Sequence, residues 1–259
     1  MGDLLGRGPE PRKRLRELLA APGPLVAPGA YDALTARLIE QAGFGVVYMT
    51  GFGTTASLIG RPDVGLLTGT EMIDNARRIV AAVDVPVIAD ADTGYGNALN
   101  VIRTVQAYEQ AGVAGIHLED QVSPKKCGHL SGKAVIAREE MVGKLRAAVA
   151  ARRDPDFVLI ARTDAAAVHG LADAIGRARA YAAAGADLLF VELGFALVLY
   201  PIGTLLAATA GVRALLETVR ADGTPAAALP GLPSFGEFTG LVGLPEVSDL
   251  ERRFGGESG

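Results

Sequence analysis

The sequence predicts an α/β protein of the TIM-type (β/α) barrel class, with an open doubly wound sheet as the second choice of fold. Three observations carry this. Short runs rich in Val, Ile and Leu alternate with longer Ala-rich stretches of helical character. The runs are apolar at consecutive rather than alternate positions, as strands of a parallel sheet covered by helices must be. Most of them end in charged residues, and both folds build their sites at the carboxyl ends of strands.

The elements follow in order. Leu25-Val26-Ala27 is the first strand, and residues 33–42 form a helix that stops at Ala42-Gly43. Residues 46–49 (Val-Val-Tyr-Met) are the second strand and residues 70–83 the next helix. The third strand, 87–90, leads to a helix over 98–111 that ends at Ala111-Gly112, as a glycine C-cap would end it. Strand 115–119 is followed by a polar loop and a helix over 138–152. Strand 158–162 precedes a helix over 171–184, stopped at Ala184-Gly185. Two last strands are expected at 188–192 and 196–200, the second running into a helix with Pro201 near its first turn. No linker or composition break divides the chain, so residues 1–259 are expected to be a single barrel domain.

Composition narrows the function. The chain is 49% hydrophobic and 21% charged, which excludes disorder, and the mean hydropathy is +0.28. Lys and Arg number 25 against 29 Asp and Glu, a net charge of −4, so no basic surplus invites a nucleic acid. The single cysteine cannot form an internal disulfide, which predicts a reducing, cytoplasmic compartment. The first 19 residues mix charged and apolar side chains without a continuous apolar stretch, so no secretory leader is expected. Residues 193–212 lack any charge and imitate a membrane span. Gly194, Pro201, Gly203 and Gly211 interrupt that stretch, and Val198-Leu199-Tyr200 favours strand, so a βα junction is expected and no membrane partner.

The charges at the strand ends form a pattern. Asp90 and Asp92 fall on one side of a strand end, because side chains alternate along a strand. His117 and Glu119 share a face at the end of the next strand, opposite Ile116 and Leu118. Arg162 and Asp164 close the strand after that, Glu192 the next, and Asp63 sits in a Gly/Pro-containing loop. Carboxylates converging on one mouth repel one another unless a cation lies among them. Oxygen donors without a His/Cys cage suit Mg²⁺, or Mn²⁺, and Mg²⁺ keeps much of its water, so one direct carboxylate is expected. For any one acid the alternative is a helix cap or a lysine partner.

A second cluster spans residues 121–130, with Cys127 between Lys125-Lys126 and Gly128-His129. Nearby cations favour a thiolate and fit the thiol for proton transfer near neutrality, whereas a small buried hydrophobe is the alternative role. No Gly-x-Ser-x-Gly elbow, Walker loop or G-x-G-x-x-G after the first strand is present, so neither a serine hydrolase nor a nucleotide binder is supported.

Lys125-Lys126-Cys127-Gly128-His129, with His117-Leu118-Glu119-Asp120-Gln121 and Asp90-Ala91-Asp92-Thr93-Gly94-Tyr95-Gly96 before it, resembles the isocitrate lyase/phosphoenolpyruvate mutase superfamily. The resemblance is strongest to its short members, the 2-methylisocitrate and 2,3-dimethylmalate lyases and carboxyphosphonoenolpyruvate phosphonomutase. It implies a Mg²⁺-dependent barrel that acts on a 2-hydroxy- or 2-oxo-carboxylate through an enolate-like intermediate. Asp92 then matches the direct metal ligand, and Asp63, Asp90 and Glu119 the acids that hold the metal through water. Tyr48, Thr50, Gly51 and Phe52 match a loop that cradles the substrate carboxylate, largely through backbone N–H groups. Arg162 matches the cation facing substrate oxygens, and Cys127 the acid that protonates the departing carbanion. His129 is carried over as catalytic, and Lys125, Gly128, His117 and Glu192 as substrate contacts. Residues 231–254 match a C-terminal helical extension that packs on a partner subunit, which implies a homo-oligomer, a tetramer by resemblance.

One departure is large. Strand starts at 46, 87, 115, 158 and 188 are 28 to 43 residues apart, but the next follows 188 by only 8. A parallel crossover needs a dozen residues or more. The family's helix–strand–helix between these strands is therefore absent, leaving seven strands rather than eight. Three functions are carried forward. The first is a C–C lyase cleaving a 2-methylisocitrate-like 2-hydroxy di- or tricarboxylate to a 2-oxo acid and a carboxylate. The second is a C–P bond-forming phosphonomutase, and the third a catalytically impaired relative.

Overall fold

The computed structural model describes residues 10–127, 132–190 and 197–254. Helix α1 (Pro11–Ala20) comes first, then β1 (Leu25–Ala30), α2 (Ala33–Gln41), β2 (Val47–Met49), α3 (Gly51–Ile59) and α4 (Gly69–Ala82). They are followed by β3 (Val87–Asp90), α5 (Ala98–Ala111), β4 (Gly115–Glu119), α6 (Arg138–Ala151) and β5 (Val158–Arg162). Next come α7 (Ala165–Val168), α8 (Leu171–Ala183), β6 (Leu188–Phe190), β7 (Leu197–Tyr200) and α9 (Gly203–Asp222). A short 3₁₀ turn, α10 (Phe235–Leu241) and α11 (Leu244–Phe254) end the described chain.

The seven strands form one parallel sheet in the order β6-β5-β4-β3-β2-β1-β7. Alternation along each strand sorts the apolar residues into two layers. Ala89, Ile116, Leu118, Leu159 and Ala161 pack outward under the helices. Ile88, Val158 and Ile160 point inward, with Val46, Tyr48 and Ala114. Leu188 of β6 and Leu197 and Leu199 of β7 pack against that same inner cluster. The two ends of the sheet therefore face one core, as in a barrel, yet among the described residues β6 pairs only with β5 and β7 only with β1. The structure thus bears out seven strands and, among the described residues, leaves a seam between β6 and β7.

Strand number, tilt and shear are linked in a closed barrel, so seven strands cannot close with the tilt and shear of eight. Glycine lets β7 come close to β1: a Cβ on Gly29 would collide with the Pro201 carbonyl oxygen.

Helix α1, which composition alone did not place, closes the amino end of the barrel. Its Leu15 is fully buried in the inner cluster. Arg12 and Arg16 bind the carbonyls of Glu109, Val113, Pro155 and Asp156 at that end. The site must lie at the other end. Gly51 and Phe52, matched to a loop by resemblance, instead begin helix α3: Thr50 caps it through Gly53 N, and Gly60, at φ 61°, ends it. The uncharged stretch resolves in its described part as β7 and α9, and no described helix is long and apolar enough to cross a membrane. Gly128, His129 and Glu192 lie outside the described residues, so their expected contacts have no structural counterpart here.

Candidate active site

At the carboxyl end of the strands lies a cavity of about 300 Å³, lined from β2, β3, β4, β5 and β7 and from the loops carrying Asp63 and Lys125–Cys127. Of the expected site residues, Tyr48, Thr50, Phe52, Asp63, Asp90, His117, Glu119, Lys125, Cys127 and Arg162 line it, whereas Gly51 and Asp92 stand behind its wall. That volume suits a small organic acid.

The acid cluster is built by strand alternation and one unusual turn. Asp90 ends β3, and its Oδ1 accepts the Asp92 N–H at 3.0 Å. Asp92 adopts φ 48°, a left-handed conformation that costs free energy, and its buried carboxylate meets Lys125. Gly51 N–H donates to Asp90 Oδ2 at 3.2 Å, and a Cβ at residue 51 would stand 2.5 Å from that oxygen, so the approach requires glycine. The Gly51 N–H, expected to meet a substrate carboxylate, is thus spent on Asp90, and the Gly53 N–H on Thr50 Oγ1. What remains for an anion is the positive end of α3 at the cavity wall.

Lys125 corrects another expectation. Its ammonium is engaged by carboxylates rather than left to the Cys127 thiol alone. It is buried between two acids, 2.5 Å from Asp63 Oδ2 and 2.7 Å from Asp92 Oδ1. The Lys126 ammonium donates to Gly132 O. Cys127 is held by its own N–H on Asp63 O at 3.1 Å.

Burial dominates the electrostatics. It pushes Asp92 up to about 7, helped by Asp90 and opposed by Lys125. It pushes Glu119 up to about 8, opposed by Arg162. Burial would also raise Asp90, but His117, Lys125, the Asp92 N–H and Arg162 outweigh it and hold that carboxyl low. His117, pushed down to about 4 by burial, is neutral, with Nδ1 2.9 Å from Tyr48 OH and Nε2 3.3 Å from Asp90 Oδ1. Arg162 stays charged, 3.3 Å from Glu119 Oε2 and 3.0 Å from Asp164 Oδ1.

These donors fit Mg²⁺. Glu119 Oε1 is buried and accepts no hydrogen bond, and Asp92 Oδ1 meets Lys125 only as an ion pair, outside hydrogen-bond geometry. Buried carboxylate oxygens left in this state favour a cation nearby. Among the described residues no three His, Cys, Asp or Glu side chains converge into a direct metal-binding set. A magnesium ion held here would therefore keep most of its water.

Asp164 and Lys133 also line the cavity and were not singled out as site residues. The signal for Asp164 was present, two residues beyond Arg162 on the same face.

The phosphoenolpyruvate phosphomutase family matches residues 15–236. The chain is 44% identical over 280 residues to 2,3-dimethylmalate lyase of Eubacterium barkeri, covering 93% of this chain and 97% of that one. It is 53% identical over 183 residues to the probable 2-methylisocitrate lyase 2 of Corynebacterium glutamicum, covering 71% of this chain but only 59% of that relative. Among solved structures it resembles phosphonopyruvate hydrolase in complex with oxalate and Mg²⁺, with a TM-score of 0.87 at 32% identity, covering 95% and 99% of the two chains. In the first alignment, 93% of 259 residues is about 241, so about 39 of the 280 positions have no counterpart in this chain. That is the size of one helix–strand–helix unit.

Proposed function

The chain belongs to the phosphoenolpyruvate mutase/isocitrate lyase superfamily, and from that membership we propose that it is a Mg²⁺-dependent carbon–carbon lyase. Its substrate is a 2-hydroxy di- or tricarboxylate of 2-methylisocitrate type, cleaved to a 2-oxo acid and a carboxylate. One observation carries the proposal: an acid cluster, a permanently charged guanidinium and a thiol face one small cavity.

Asp92 would hold the metal directly, and Asp63, Asp90 and Glu119 through water, with Mn²⁺ as a substitute. Bound there, Mg²⁺ supplies Lewis-acid stabilisation of the developing oxyanion. Thr50 and Phe52 at the start of α3, with neutral His117 and Tyr48, orient the substrate carboxylate. Arg162 faces the charge that grows as the bond breaks, and Cys127 delivers a proton to the carbanion carbon. The test is a panel of such acids with Mg²⁺, read by released 2-oxo acid. Release from none of them, by a protein that binds Mg²⁺, would defeat the proposal.

The open seam favours one second reading, a relative that keeps the metal site without a competent pocket. The phosphomutase family match favours another, C–P bond formation, read on the same panel by phosphonate product. Helices α9, α10 and α11 bury no residue and expose Leu206, Leu216, Phe235 and Phe254. We therefore place the C-terminal extension of a single domain in a homo-oligomer, a tetramer by family likeness. Light scattering at micromolar concentration should give four times the chain mass, and a monomer would refute this. The lone cysteine suits the cytoplasm.

Proton linkage sharpens the metal proposal. Asp92 and Glu119 have folded pKa values near 7 and 8, above their ordinary values. Without metal, folding therefore favours their protonated forms. Their contribution to stability falls as pH rises from about 4 through 7–8, then levels off. Mg²⁺ must displace these protons, so its affinity should rise by about tenfold per pH unit for each proton displaced, between pH 6 and 8. Calorimetry in two buffers of different ionisation enthalpy counts the protons, and none released at pH 6.5 would count against the site. Excess Mg²⁺ should raise the melting temperature, by about 2.7 kcal/mol of stability at a hundred times Kd. Asp92→Ala should erase that shift.

A further inference from the structure

The loop after β5 carries a carboxylate that no step above uses. Asp164 is buried, and its backbone is anchored from behind. Its N–H donates to Asp120 Oδ1 at 3.0 Å. Asp120 Oδ2 in turn accepts from Thr163 Oγ1 and Tyr181 OH, both at 2.7 Å, and from Arg177 at 3.2 Å. A side chain rising from so fixed a base moves little, so its partners conform to it.

The two oxygens divide their partners. Oδ1 accepts from Arg162 Nη2 at 3.0 Å and from Lys133 Nζ at 2.8 Å. Oδ2 accepts from Gln121 Nε2 at 3.1 Å. The Gln121 amide then grips one backbone residue twice: Nε2 donates to Lys126 O and Oε1 accepts from Lys126 N, both at 2.9 Å. Only one orientation of the amide allows this. Turned over, its oxygen would face the Lys126 carbonyl and the Asp164 carboxylate, and its NH₂ would face the Lys126 N–H. The carboxylate therefore reinforces the one orientation that holds Lys126, the residue before Cys127. Lys133, on the same carboxylate, ties the chain beyond Cys127.

We infer that Asp164 is a positioning residue: through Gln121 it sets the backbone at Lys126 and Cys127, and directly it sets Arg162, so that both face one cavity. The inference rests on the lyase reading for the roles of Cys127 and Arg162. Asparagine cannot replace it. If its oxygen served Arg162 and Lys133, its NH₂ would oppose the Gln121 NH₂; reversed, its NH₂ would oppose both cations.

Because Cys127 is the single cysteine, iodoacetamide reports its exposure without ambiguity and without any substrate. The rate is compared at its high-pH plateau, where the thiol is fully ionised in every variant and accessibility alone differs. Asp164→Asn should raise that rate about fivefold to tenfold, the scale of one lost hydrogen bond. Gln121→Leu, which cuts the link between Asp164 and Lys126 and leaves Arg162 and Lys133 on the carboxylate, should raise it equally. On an active substrate, Gln121→Leu should lower kcat with KM within twofold, while Asp164→Asn should also raise KM through Arg162. If Asp164→Asn fails to fold, Gln121→Leu alone decides. Plateau rates within twofold of the parent in folded variants would overturn the inference. Absence of turnover in the parent protein would instead strike the lyase reading and leave the alkylation result standing.

Discussion

Replacing Cys127 with serine is expected to lower lyase turnover by about 10²–10⁴-fold, the usual worth of a positioned general acid. Melting temperature and Mg²⁺ stabilisation should stay at parental values. The volume change is small, and the backbone at this position is held by bonds that serine keeps: its N–H on Asp63 O and the Gln121 clasp on Lys126. What changes is acidity. A thiol is the stronger acid and releases its proton readily. An alcohol holds its proton far more tightly. With Lys125 spent on Asp63 and Asp92, the thiol does not need a flanking ammonium to act as an acid, only as a nucleophile. KM should change little, because the lost interaction belongs to the transition state. Serine variant turnover within threefold of the parent would remove Cys127 from the chemistry.

The acid cluster was readable in the sequence because alternation is a strong rule. Asp90 and Asp92, then His117 and Glu119, had to share a face once 87–90 and 115–119 were strands. The same rule places Asp120 on the opposite face, where it meets Arg177 and Tyr181 under the helices. That network was not foreseen, since which helix covers a strand is not written in either segment. Lys125 shows another limit. Its neighbourhood in sequence is Cys127, but its ammonium crosses to acids 62 and 33 positions earlier in the chain. Helix α3 is hidden because two glycines and two threonines, at 51, 53, 54 and 55, are weak helix formers, while the capping oxygen of Thr50 and burial against the barrel decide for helix. The missing unit was legible as arithmetic, for eight residues between strand starts cannot hold a parallel crossover.

That unit leads to the largest expected contrast within the molecule. Hydrogen-bonded amides of β6 and β7 should exchange at least about 100-fold faster than those of β3, β4 and β5, a difference of roughly 2.7 kcal/mol in opening free energy. The central strands are bonded on both sides and buried on both faces: β3 and β4 have no exposed position, and β4 pairs with β5 over five residues. They should open only with the whole fold, at a cost of about 5–15 kcal/mol. Strand β6 holds β5 through three positions and β7 holds β1 through four, each with one side unpaired among the described residues. Leu189 is 39% and Tyr200 59% exposed, so little apolar burial resists their opening. Unpaired edges that carry such side chains also invite association between chains. An oligomer that covers the seam would slow exchange there, and dilution below its dissociation constant would restore the contrast. Protection that stays uniform from Val158 through Leu206 in the dissociated chain, with turnover in the ordinary range of about 1–10³ s⁻¹, would show that seven strands can close this barrel.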